Sequence, residues 1–136
     1  MESISLLQLR IIEDMLHQIQ EAINNLEEWN KDISNVNDLL SSPAGMKTLA
    51  ADCMMIEAIG EGIKRIDERT QGKLLVNRPE IPWKAVKGMR DHIAHGYFDI
   101  NTELVWDTVK NDLPELRKAI DYLTDNLYEL IPFDTN

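Results

Sequence analysis

The chain has 136 residues, 43% of them hydrophobic, and a formal net charge of −10. This length fits one domain, 1–136, with a single hydrophobic core. The apolar content excludes a disordered chain, the acidic balance argues against broad, non-specific nucleic-acid binding, and the single cysteine, Cys53, excludes an internal disulfide framework.

The predicted elements are helices. From Leu6 to Trp29 the apolar residues Leu9, Ile12, Leu16, Ile19, Ile23 and Leu26 recur at steps of three and four, which marks one helix with one buried stripe. Residues 31–42 are rich in Asn, Asp and Ser and read as a connector with a helical turn at Val36–Leu40. Ser42-Pro43 is a helix start, a serine cap followed by a proline whose missing N–H is harmless in the first turn. The second helix runs to about Arg69 on Leu49, Cys53, Ile56, Ile59, Ile63 and Ile66, and Thr70-Gln71-Gly72 stops it. Gly60 and Gly62 inside it each cost about 1 kcal/mol relative to alanine, which predicts close approach of another backbone.

After a loop over 73–80, a third helix is expected from about Pro82 to His95, with Gly96 as a left-handed stop. Asp99 or Asn101 caps a short fourth helix around Leu104, Val105, Trp106 and Val109. Asn111 or Asp112 caps the last one, with Pro114 in its first turn and a stripe of Leu116, Ile120, Leu123, Leu127 and Leu130. No strand is expected. The fold predicted is all-α, a four- to five-helix up-down bundle. The opening MESISLLQLR lacks a basic leader followed by an apolar run, and no stretch of about 18 uncharged apolar residues occurs. Neither a signal peptide nor a membrane span is expected, and a reducing cytoplasm is the expected setting.

Charge is distributed unevenly. Residues 63–95 carry 8 basic and 4 acidic side chains, whereas 1–62 and 96–136 are both strongly acidic. A basic segment on an acidic body suggests a specific anionic ligand, although on charge alone a solvated helix face balanced by acidic neighbours is the commoner meaning of such a run. Within it stands GMRDHIAHGYF, residues 88–98, which gathers Arg90, His92, His95 and Tyr97.

Two readings of these residues compete. In the first, an RNA 2′-hydroxyl attacks the adjacent phosphate. A histidine near pKa 6.5 serves as base or acid at neutral pH, and an arginine offers a planar cationic fork to the phosphate oxygens. In the second, the histidines cap a helix end, Arg90 makes an ion pair and Tyr97 is a half-buried anchor. On an ideal helix His92 and His95 lie about 60° apart, but Arg90 and His95 lie about 140° apart, so unwinding before Gly96 is needed to aim them at one point. His92-x-x-His95 has only Asp91 as a nearby carboxylate, so no metal site is expected.

The run Arg90-Asp91-His92-Ile93-Ala94-His95-Gly96-Tyr97 matches R-x-x-x-x-H-x-Y and resembles HepT-like ribonuclease toxins of the HEPN superfamily. Ile59-Gly60-Glu61, Pro79-Glu80-Ile81-Pro82-Trp83, Val105-Trp106 and Asp112-Leu113-Pro114-Glu115-Leu116 extend the likeness over nearly the whole chain. The resemblance implies a homodimeric helical bundle that cleaves RNA without metal or other cofactor at a dimer cleft, Arg90 holding the phosphate and His95 acting as base or acid. It also implies an MntA-like nucleotidyltransferase partner that transfers AMP to Tyr97 and blocks the site. Asp91 departs from the asparagine frequent in these toxins; its carboxylate can pair with Arg90, repel RNA or orient a histidine. His92 is not a position the family requires; a surface or cap role is expected there, with a helper role as the alternative, and Glu61 is expected to pair with Arg90 or a neighbouring lysine. Neither DNA nor a membrane is an expected partner. The alternatives are a non-catalytic substrate-binding subunit of a nucleotidyltransferase complex and a purely structural dimer.

Overall fold

The computed structural model describes residues 3–96 and 98–134. Helix α1 (Leu6–Trp29) begins at a capping box, where the Ser5 hydroxyl accepts the Gln8 N–H at 3.1 Å and the Gln8 side chain accepts the Ser5 N–H at 3.3 Å. The predicted stripe from Leu9 to Leu26 is buried. A single turn, α2 (Val36–Leu40), is capped by the Asn35 side chain. Helix α3 (Pro43–Arg69) opens as predicted, the Ser42 hydroxyl accepting the Gly45 N–H at 2.9 Å with Pro43 in the first turn. It stops before Gln71 and Gly72, both at positive φ.

Side-chain contacts fix the direction of packing. Early α3 meets late α1, where the Asn30 amide donates to the Asp52 carboxylate at 2.8 Å. Late α3 meets the middle of α1, where Gly62 lies against Ile19. The two helices are therefore antiparallel, and Ile12, Ile19, Ile23, Ile56, Ile59 and Ile63 fill the core around their contact.

The predicted third helix is two short ones, α4 (Trp83–Lys87) and α5 (Met89–Ile93), meeting at Gly88. Gly60 explains the close fit of this corner on α3, because a Cβ there would lie 3.0 Å from the Val86 carbonyl oxygen and 3.3 Å from that of Lys87. The close approach expected at Gly60 is thus backbone, whereas Gly62 faces only a side chain. His95 is not helical as expected. Helix α5 ends because Asn101 N–H takes the Ile93 carbonyl at 2.7 Å and Ala94 turns extended, pairing antiparallel with Ile100.

The end of the chain differs from expectation as well. Helix α6 (Thr102–Asp107), capped by Asn101, runs through a π-helical stretch (Thr108–Asp112) into α7 (Leu113–Asp125). Asp112 has helical backbone angles and no side-chain cap bond, so neither it nor Asn111 begins a new helix. The wide turn, closed by Leu113 N–H on the Thr108 carbonyl, precedes Pro114, which has no N–H to donate and whose ring would crowd an ordinary α-turn. A break at Asn126 leads to α8 (Leu127–Leu130). Helix α7 lies antiparallel on α1, joined by Gln20 to Asp121 at 2.9 Å and by Arg117 to Asn24 at 2.6 Å. A two-residue parallel pair not anticipated from sequence, β1 (Ile4–Ser5) with β2 (Phe133–Asp134), lies beside α1. The fold is an all-α bundle, and no helix among the described residues is long and apolar enough to cross a membrane.

Candidate active site

Helix α5 presents the motif between two hollows. Arg90 turns toward α3, where its Nε lies 3.5 Å from a Glu57 carboxylate oxygen, with side chains 54% and 45% exposed. So exposed a pair is worth at most about 1 kcal/mol, and a phosphate can displace the carboxylate. Arg90 and Glu57 line a groove of about 240 Å³ with Ala50, Cys53, Met54 and Gly96. Burial first, and then the neighbouring Asp52 charge, push the Cys53 thiol up to about 11, so it stays protonated and is a poor nucleophile at neutral pH.

His95 stands on the turn after α5, exposed, with its backbone N–H donating to the Asp99 carbonyl at 2.9 Å. The Ala94–Ile100 bridge ties both ends of this turn, and Gly96 takes φ 106° within it. The helix is therefore unwound before Gly96. The ideal-helix angle between Arg90 and His95 no longer applies, and both residues are exposed. No hydrogen bond or ion pair joins them among the described residues.

His92 faces the other way. It borders an apolar cleft of about 590 Å³ with Ile56, Met89, Leu104 and Thr108, separate from the groove of Arg90. Asp91 is exposed in the first turn of α5 and forms no ion pair among the described residues. The expected Glu61–Arg90 pair is not formed. The acid that meets Arg90 is Glu57, one turn earlier, while Glu61 lines a third groove with Arg65 and Arg69 between α1 and α3. A signal for Glu57 was present in the sequence, since it lies three residues before Gly60 and so shares the helix side that receives α4 and α5. Tyr97 lies outside the described residues; its neighbours Gly96 and Phe98 are exposed.

Two further cations of the basic segment have acidic partners. Lys87 pairs with Asp67, and Arg78 pairs with Glu80 at 2.9 Å while its guanidinium lies 5.0 Å from the Tyr122 ring centroid. Arg90 is the cation at the motif, and no three His, Cys, Asp or Glu side chains among the described residues gather closely enough to hold a metal ion.

Fold and site define a class: an all-α bundle that offers an arginine on a short helix and a histidine on the bridged turn after it. A family model described as "Ribonuclease HepT-like" matches residues 19–123. The chain belongs to the HepT-like ribonuclease family, and ribonuclease is its activity class. It is 37% identical to "Probable ribonuclease HepT" of Thermococcus cleftensis over 81% of this chain and 93% of that protein. It is also 30% identical to a "Putative RNase" of Methanocaldococcus jannaschii over 88% of this chain and 97% of the relative. No solved structure gives a significant match.

Proposed function

We propose that this ribonuclease is the toxin of a toxin–antitoxin pair, cutting RNA internally without metal. The reading rests on one observation: Arg90 and His95 are both exposed, Arg90 on α5 and His95 on the turn closed directly after it by the Ala94–Ile100 bridge. In the reaction the 2′-oxygen forms a bond to phosphorus as the bond from phosphorus to the 5′-oxygen breaks. One proton leaves the 2′-oxygen and one is delivered to the departing 5′-oxygen, giving a 2′,3′-cyclic phosphate and a 5′-hydroxyl. Arg90 exchanges Glu57 for the phosphate and stabilises the charge that grows on it. His95 moves a proton, and the second imidazole comes from a second copy in a homodimer, since each chain has one motif histidine.

Purified chain is expected to cleave RNA in EDTA, and His95→Ala or Arg90→Ala to lower the rate by roughly 10²–10⁴-fold. Expression is expected to arrest growth only when both residues are intact. Undiminished cleavage by His95→Ala, or cleavage that stops in EDTA and returns with a divalent ion, would overturn this mechanism.

Control of the site is assigned to Tyr97, two residues past His95. A nucleotidyltransferase transfers AMP to its phenol oxygen, with pyrophosphate leaving from ATP, and the added phosphate repels RNA. Mass analysis after co-expression with such a transferase is expected to show one added AMP that Tyr97→Phe abolishes. An adduct elsewhere, or none, would remove this part of the reading. The residues flanking Tyr97 being exposed supports it.

A further inference from the structure

The groove beside Arg90 has apolar walls and two opposite charges. Met54, Ile93, Ala94 and Ile100 line it, and its charged residues are Arg90 and Glu57. The Cys53 thiol in the same wall keeps its proton at neutral pH and adds no charge. The Glu57 carboxylate lies 3.5 Å from the Arg90 Nε, near enough for attraction but beyond an ordinary hydrogen bond. No hydrogen bond reaches either Glu57 oxygen among the described residues, so both remain able to accept.

A phosphate that takes Arg90 leaves this carboxylate beside a second anion. The two repel, so the exchange weakens the binding of any RNA that brings no donor for Glu57. The donors a nucleotide can bring into an apolar groove are its base N–H groups. Guanine carries N1–H and N2–H side by side on its Watson–Crick edge, which matches the two oxygens of a carboxylate. Adenine and cytosine set a ring-nitrogen acceptor beside their amino group, and uracil sets a carbonyl on each side of its N3–H. Each of these three therefore meets a carboxylate with one donor and a repelling lone pair.

We infer, resting on the ribonuclease reading above, that this groove is a guanine subsite: Glu57 accepts N1–H and N2–H of the guanine whose 3′-phosphate Arg90 holds. At about 240 Å³ the groove has room for one nucleobase. Single-stranded bases are read on this edge once they are unstacked, and the apolar walls take the faces of the ring. Met54, unbranched and 65% exposed, adjusts to the base as it enters. Glu57 selects by penalty as well as by attraction, because its charge is answered by guanine and left unanswered by the other bases. Its part is the choice of base on the 5′ side of the bond that is cut.

Calorimetric titration of the full chain with nucleoside 3′-monophosphates tests this without requiring cleavage. 3′-GMP is expected to bind about tenfold or more tightly than the adenosine, cytidine or uridine nucleotide. Inosine 3′-monophosphate keeps N1–H but lacks the N2 amino group, and is expected to fall between. Glu57→Ala is expected to erase the ranking, weakening the guanosine nucleotide and tightening the other three as the repulsion is removed. Glu57 is exposed, so the folded state is expected to persist, checked by circular dichroism. No measurable binding of 3′-GMP, equal affinity for all the bases, an inosine nucleotide that binds as tightly as the guanosine one, or a guanine preference that survives Glu57→Ala would each overturn the subsite. Cleavage of a single-stranded RNA is scored separately. Cuts spread evenly after all four bases sink the subsite and keep the ribonuclease, whereas guanine-selective binding that depends on Glu57, with no cleavage, does the reverse.

Discussion

Asp52 is a carboxylic acid set among apolar side chains, and its surroundings decide its charge. Burial raises its pKa from 3.8 to about 6, against the opposing effect of the Asn30 amide hydrogen bond. Asp52 Oδ2 and Asn30 Oδ1 have no hydrogen-bond partner. A folded-state pKa above the unfolded one means that the native state keeps its proton longer. The benefit is complete below about pH 4 and is lost as pH rises through about 6, so stability falls by roughly 2–3 kcal/mol across that window. Asp52→Asn cannot ionise and offers a second amide donor toward Asn30. It is expected to be more stable than the wild type at pH 8 by up to about that amount, and to lose the slope between pH 4 and 6, as read by urea unfolding. Arg90 and His95 were legible in the sequence because their spacing is a motif. The pairing of Arg90 with Glu57 was legible only in part: Gly60 marks the side of α3 that another backbone approaches, but local spacing does not say which segment packs there.

At the scale of elements, long periodic segments were readable and transitions were not. Helices α1 and α3 carry their own stripes, caps and stops, and they form where the sequence predicts. Helix α5 ends early because Asn101, eight residues downstream, captures the Ile93 carbonyl, a competition that local propensity does not register. Gly60 tests the fit between α3 and α4. Alanine there gains about 1 kcal/mol of helix propensity but drives a Cβ to 3.0 Å from a carbonyl oxygen, a strain of about 1–3 kcal/mol. Gly60→Ala is expected to lower stability by up to about 2 kcal/mol in urea titration. Gly62→Ala, whose Cβ meets only the movable end of Ile19 at 3.3 Å, is expected to be close to neutral or stabilising. Equal effects at the two glycines would contradict this account of the corner.

Over the whole molecule, net charge and local charge act at different ranges. The net charge of −10 repels a polyanion at a distance, whereas cations at the surface act only within about a Debye length. Of the run of basic residues, the fold commits Lys87 and Arg78 to acidic partners of the same chain. The wide turn at Thr108–Asp112 sets how the last long rod is shared among its neighbours. Its first half, α6, packs on α2, α3 and α5, and its second half, α7, packs on α1. Each α-helical residue advances the side chains by about 100°, so one residue fewer in that turn would swing Leu116, Ile120 and Leu123 a quarter-circle or more away from α1. The bulge thus works as a phase adjuster, letting a single continuous helix turn one oily seam toward the motif layer and another toward α1.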